Sequence, residues 1–163
     1  MSGMSKQWKP NVTVAAVIER DGRYLMVEEQ GEDGLRYNQP AGHLEAGESL
    51  VAAVIRETLE ETAHDFEPHG LLGVYQVASS ARDGSRVNYL RFGFTGIVGA
   101  AHEGRALDHG IVRALWLTYD EIVALSARHR SPLVLQCVED HRARRAPTAL
   151  DHLFCHPSVA VGS

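Results

Sequence analysis

Cysteine is scarce in this chain of 163 residues, with Cys137 and Cys155 the only two. Two thiols cannot build the disulfide framework that staples small secreted domains, so a reducing, cytoplasmic setting is expected. No apolar run approaches the ~20 residues that a membrane-spanning helix needs. Residues 1–10 are polar and lack the apolar segment of a signal peptide. A basic excess is missing too. Sixteen Lys+Arg stand against twenty-one Asp+Glu, a formal net charge of −5, whereas nucleic-acid binders need cations to neutralise phosphates. The one basic cluster, Arg142, Arg144 and Arg145, falls at the end of an expected helix, where cations complement the dipole. The nine histidines show no zinc-ligand spacing, and no internal repeat or low-complexity stretch is present.

What is there reads as packed and globular. Hydrophobic residues make up 44% and charged residues 23%, enough for a core without staples. The length fits a single domain over 1–163, with a core at about 8–143 and a C-terminal tail, 144–163, read as loop. Residues 11–18 are β-branched and apolar, a strand. Asp21-Gly22 supplies turn chemistry before a partner strand at 24–28. Residues 30–36 read as a loop, followed by 37–40 and a helix over about 49–63. Strands at 70–79 and 86–98 flank Asp83-Gly84, with Leu90, Phe92 and Phe94 alternating against Tyr89, Arg91 and Gly93. Another strand fits 112–117. Thr118 suits the N-cap of a helix to about 127, and Ser131-Pro132 opens a last helix to about 142, with Cys137 packed inside. Strands mixed with helices and hairpins imply α+β or α/β layers, not a doubly wound parallel sheet.

The helix at 49–63 carries the chemistry. At 100° per residue, Leu50, Val51, Val54, Ile55 and Leu59 form one apolar stripe expected to face the sheet. Glu57, Glu60 and Glu61 are spaced i, i+3 and i+4 and share a neighbouring face. Glu48 lies near the helix start, where a carboxylate favours the dipole. Carboxylates roughly 6 Å apart repel by about 3 kcal/mol per pair at an effective dielectric near 20, but by only about 0.2–0.5 kcal/mol when solvated on a helix. The pattern therefore suits either a solvated acidic face or an oxygen-ligand site for a hard cation such as Mg²⁺ or Mn²⁺. Spacing alone does not choose.

The stretch GHLEAGESLVAAVIRETLEETAH, residues 42–64, resembles the Nudix box: Gly, five residues, Glu, seven residues, then Arg-Glu-apolar-any-Glu-Glu-any-Gly-apolar. Gly42, Glu48, Arg56, Glu57, Glu60 and Glu61 match in register. Thr58, Ala63 and His64 depart from it, and Ala63 stands where a glycine would end the helix in a left-handed conformation. The segments KPNVTVAAVI, YNQPAGHLEAGESLVAA, YLRFGF and RSPLV are similar to a small bacterial Nudix subgroup. Its members act as nucleoside tri- and diphosphatases and on hydroxymethylpyrimidine pyrophosphate.

The resemblance implies an α+β Nudix fold, a mixed β-sheet sandwiched between helices (α/β/α). It also implies a Mg²⁺-dependent enzyme, with Mn²⁺ possible, that cleaves phosphoanhydrides by water attack. Hydrolysis of ADP-ribose or an oxidised dNTP, or a non-catalytic nucleotide-binding module, is the alternative. Glu57, Glu60 and Glu61 are the implied metal ligands, with the backbone carbonyl of Ala41. Arg56 is expected to pair with Glu48 and orient Glu57. The general base is a box glutamate, with Glu57 and Glu60 as candidates, or Asp108, which could instead be a further ligand. His43, Gln39, Asn38, Arg91 and Tyr37 are candidates for the substrate, Tyr37 by stacking on a base. His64 is expected at the surface. The expected partners are a small nucleotide or pyrimidine pyrophosphate, with no nucleic acid and no membrane, in a monomer or homodimer.

Overall fold

The computed structural model describes residues 6–160. The first five residues of the polar N-terminal stretch and the last three of the tail lie outside the described residues. Strand β1 (Asn11–Val17) is apolar and central. It pairs antiparallel with β5 (Ala41–His43) on one side and parallel with β7 (Arg86–Ala101) on the other. A strand covered on both faces needs no alternation, which is why 14–18 are buried without a break. Strand β6 (His64–Ser80) joins β7 through the turn at Asp83-Gly84, giving the order β5-β1-β7-β6. In the second sheet β3 (Arg23–Gly31) pairs with β2 (Glu19–Arg20) and β4 (Gly34–Asn38). Strand β8 (Ile111–Thr118) also pairs with β3.

Two apolar clusters sit on opposite sides of these sheets. Helix α1 (Leu50–Thr62) buries Ala53 and Val54 against Val14, Ala16, Leu25 and Phe94. Helix α3 (Leu133–Arg142), with α2 (Tyr119–Ala124), buries Val134, Cys137, Val138 and Ile122 against Val17, Tyr24 and Met26. Consecutive residues of β3 thus serve different cores, as the period of two requires. The result is the expected α+β arrangement, with sheets between helices. Among the described residues, no helix is long and apolar enough to cross a membrane.

Four local expectations need correction. Residues 30–36 are not loop: β3 and β4 continue to Gly31 and Gly34, leaving Glu32-Asp33 as a two-residue turn. Gly34 takes a φ of +108°, which only glycine adopts without strain. The tail is not all loop: Thr148 and Leu71 exchange backbone hydrogen bonds of 2.7 and 2.8 Å, and Leu150 and Leu153 pack on the α1 core. Ile55 is exposed, because the buried side of α1 is Ala53, Val54, Glu57, Thr58, Glu61 and Thr62. That polar side can be buried because Thr58 Oγ1 donates to Val54 O and Thr62 Oγ1 to Thr58 O. His64 is buried: its Nδ1 lies 2.8 Å from Gly99 O and its ring meets Trp116 edge to face.

The ends of α1 follow capping chemistry. Ser49 accepts from Ala52 N at 3.0 Å. Ala63 ends the helix at φ 59°, ψ 20°, its N–H donating to Leu59 O. The alanine thus adopts the left-handed conformation that glycine usually fills, against the Cβ penalty. Ala63→Gly is expected to stabilise the protein by about 0.5–1 kcal/mol, because relieving that strain outweighs the added freedom of the unfolded chain. A rise in the urea midpoint checks this, and an unchanged or lower midpoint contradicts it.

Candidate active site

The site forms where α1 meets the β4–β5 connection. Gly42 on β5 lies directly beneath Glu57. A Cβ built there would stand 2.1 Å from the Glu57 carboxyl carbon, so the box glycine is required by close approach rather than by a turn. Next to it, Ala41 N donates to Glu61 Oε1 at 3.0 Å. Arg56 ties loop to helix. Its Nε and Nη2 reach the two Glu48 oxygens at 2.9 and 2.7 Å, and Nη2 also donates to His43 O at 3.0 Å. Its Nη1 donates to Glu57 Oε1 at 2.9 Å and Glu60 Oε2 at 3.1 Å. The planar fork lets one guanidinium serve several carboxylates, which a lysine ammonium cannot match.

Burial sets the electrostatics. Glu61 is pushed up to about 9, first by desolvation and then by Glu57, Glu29 and Asp108, while the Ala41 N–H opposes the rise. Desolvation also raises Glu57, Arg56 pulls it back, and Glu60 and Asp108 add to the rise. The Arg56 bond holds Glu48 below the usual carboxylate range. Among the described residues, no three His, Cys, Asp or Glu side chains converge on one point. The cause is visible: Glu57 and Glu60 turn toward Arg56, while Glu61 is held by Ala41. The donors nevertheless fit a hard divalent cation. All are oxygens, Glu57 and Glu61 are buried near further carboxylates, and a cation would supply the positive charge that protons otherwise provide.

Beside this acidic row lies a cleft of about 320 Å³, whose wall includes Asn38, Ala41, Gly42, His43, Tyr89 and Arg91. His43 is exposed on the wall and faces the Tyr89 ring. Arg91 is buried, its Nη1 donating to Gln39 Oε1 at 3.0 Å and its Nη2 to Asn38 Oδ1 at 3.1 Å. Asp108 is exposed, and its N–H is anchored to Glu60 O at 2.8 Å. Its charge is felt at both Glu57 and Glu61.

Two expected substrate contacts are corrected. Tyr37 is buried outside the cleft wall, with its hydroxyl donating to Glu28 Oε2 at 2.6 Å. Both ends of the Gln39 amide are engaged, Nε2 donating to Val134 O at 2.7 Å and Oε1 accepting from Arg91. Gln39 therefore positions Arg91 from behind the wall. Glu29 and Arg130, which sequence reasoning does not single out, also line the cleft. Burial raises Glu29, opposed by Arg130 and Arg91. The signal able to find Glu29 is Asp33-Gly34, the same turn dipeptide read at Asp21-Gly22. It extends β3 past Glu28.

The raised carboxylates predict a pH dependence for chelator-treated protein. Their preference for the protonated form supports the fold fully below the unfolded value near 4.5. That support is lost as pH rises through the folded value, about 9 for Glu61. Thermal midpoints in EDTA should therefore fall from pH 5 toward pH 9. Glu61→Gln, which still accepts from Ala41, should flatten the decline. Parallel curves for the two proteins would contradict the burial of charge at Glu61.

Comparison with known proteins agrees with this geometry. The NUDIX domain family model matches residues 8–136. Phosphatase NudJ of Escherichia coli (strain K12) is 35% identical over 136 residues, covering 83% of this chain and 86% of that protein. A NUDIX hydrolase from Nitrosomonas europaea superposes with a TM-score of 0.84 at 52% identity, over 91% of this chain and 98% of that one. The NUDIX domain of Shewanella oneidensis NrtR, complexed with ADP ribose, shares the fold at a TM-score of 0.64 and 18% identity, over 85% of this chain and 90% of that one. With the box residues gathered around Arg56 and a relative of this identity matched along most of both chains, the protein belongs to the Nudix family, as a hydrolase of the phosphatase or pyrophosphatase type.

Proposed function

We propose that the protein is a Mg²⁺-dependent hydrolase of phosphoanhydride bonds in nucleoside di- and triphosphates or in hydroxymethylpyrimidine pyrophosphate. The observation that carries this reading is the buried pair Glu57 and Glu61, held directly against Gly42 and Ala41, which themselves line a cleft. Buried anions beside a polyanionic substrate are self-consistent only with added positive charge. The resemblance of the chain to nucleotide-processing Nudix enzymes supplies the substrate class, and the NudJ relative is itself described as a phosphatase.

Glu57, Glu60 and Glu61, with the Ala41 carbonyl, would hold the cation. When bound, it neutralises phosphate charge and lowers the pKa of water near the phosphorus. The chain does the positioning. Arg56 keeps Glu57 and Glu60 in register while locked to Glu48 and the His43 carbonyl. Glu60, the most exposed of the three helix carboxylates, is the general base that takes the proton of the attacking water. Asp108 is a second acidic group toward the same centre. His43 and Arg91 meet the anionic end of the substrate, a role to which Arg91 is preset by Asn38 and Gln39. The action of this cleft as a single-domain site in the cytoplasm belongs to the same proposal.

Phosphate or pyrophosphate release from these substrates tests the reading. Turnover should vanish in EDTA and return with Mg²⁺. Glu57→Gln and Glu61→Gln should each lower kcat by about 100-fold or more, on the scale of lost transition-state electrostatics, with the circular dichroism spectrum unchanged. Arg56→Lys should cost about 10–100-fold, as expected for a residue that orients ligands. Wild-type rates in both glutamine variants would overturn the assignment. Gly42→Ala forces the Glu57 carboxylate aside and should lower kcat likewise. Full activity in the Gly42→Ala enzyme would show that Glu57 need not stand where it does.

A further inference from the structure

Glu29 is a charged residue of the cleft wall that the proposed chemistry does not use. The register of β3 with β4 sets Val27 opposite Asn38. Val27 and Glu29 share a face of the strand, so Glu29 and Asn38 look to the same side, and both line the cleft. The pairing of β3 with β8 slips between Glu28 and Glu29, a bulge of the kind that re-aims a side chain. Glu28, on the other face, is engaged by Tyr37 and Arg113. Glu29 is not. Its Oε1 is shut off from solvent yet accepts no hydrogen bond among the described residues. Arg130 Nε forms an ion pair with it at 3.4 Å but no hydrogen bond. A buried acceptor left without a hydrogen bond costs free energy that a donor would recover. Beside it, Asn38 Oδ1 is occupied by Arg91, which leaves the amide N–H₂ for the cleft.

We propose that Glu29 is the specificity-determining acceptor of this cleft. The Glu29 carboxylate, on a side chain that is 21% exposed, takes an N–H from the substrate's nitrogen heterocycle, and the Asn38 amide donates to the adjacent ring nitrogen or carbonyl. The inference rests on the proposed phosphoanhydride hydrolysis and names the part of the substrate that selects it. An N–H beside an acceptor occurs on the amino edge of adenine, cytosine and 4-aminopyrimidines, and on the imide edge of uracil. Tripolyphosphate offers neither.

Paired substrates decide it. ATP is compared with purine riboside triphosphate, CTP with pyrimidinone riboside triphosphate, and UTP with N3-methyl-UTP. The first two analogues lack the amino group, and the third carries a methyl in place of the imide N–H, so the Glu29→Ala ratio separates the lost bond from the changed bulk. For the edge that is read, the wild-type enzyme should lose about tenfold or more in kcat/KM, carried by KM, as for a hydrogen bond to a charged acceptor. Glu29→Ala should bring that ratio close to one by weakening the parent, and the isosteric Glu29→Gln should fall between. Loss with ATP or CTP identifies the amino edge, and loss with UTP the imide edge. Equal use of every analogue and its parent by the wild type overturns the inference while leaving hydrolysis intact. Hydrolysis of none of the three parents, nor of their diphosphates, GTP, GDP or hydroxymethylpyrimidine pyrophosphate, overturns the underlying reading and this inference with it.

Discussion

The Arg56 guanidinium is the contact on which the site depends. Four carboxylates stand around it, those of Glu45, Glu48, Glu57 and Glu60. Without it, the helix would hold like charges a turn apart, with Glu57 largely out of water. With it, the repulsion becomes a scaffold: two of the anions fasten the loop before α1, and two are kept near the cleft. The exposed Glu45 apart, these pairs are only partly exposed and escape much of the solvent screening that makes surface ion pairs nearly worthless. The same guanidinium competes for the oxygens a metal would take. A bound cation would therefore exchange one set of partners for another within a loop already fastened by Glu48 and the His43 carbonyl.

Packing makes that electrostatic arrangement possible. Helix α1 turns Ala53, Thr58 and Thr62 to the interior, so small or internally satisfied side chains let it lie close to β5 and β6. Gly42 then admits the Glu57 carboxyl where any side chain would collide. The buried network of Arg91, Asn38 and Gln39 does the equivalent task across the cleft, fixing a cation by amide oxygens rather than by carboxylates. Each wall has a support behind it that does not line the cavity, Arg56 on one side and Gln39 on the other.

Much of this is legible in the sequence, and the exceptions have physical causes. Glu57, Glu60 and Glu61 can be placed together because a helix fixes the spacing of its own residues, and β1, β7, β8 and the capped helices follow from local pattern. Ile55 departs from its expected place because periodicity finds a stripe but not the rotation of the helix on its sheet. That rotation is set by Gly42 and by threonines whose hydroxyls bond back to the helix. His64 and Tyr37 find partners remote in sequence, Gly99 through a strand ladder and Glu28 across a hairpin. Thr148 joins Leu71 by a single bridge that leaves no periodic trace. Glu29 lies near a turn dipeptide whose meaning is masked by its charged flanks.

The parallel ladder between β1 and β7 has a bearing on how the molecule is made. Residues 11–17 cannot settle beside 89–95 until nearly the whole first hundred residues exist. A parallel pair closing so long a loop is slow to nucleate. During synthesis the opening strand, apolar and β-branched, must wait with its edges bare while the acidic helix and its neighbours emerge. The polar and charged positions that precede it, Lys6, Gln7 and Lys9, are the nearest chain elements able to keep that waiting strand dissolved.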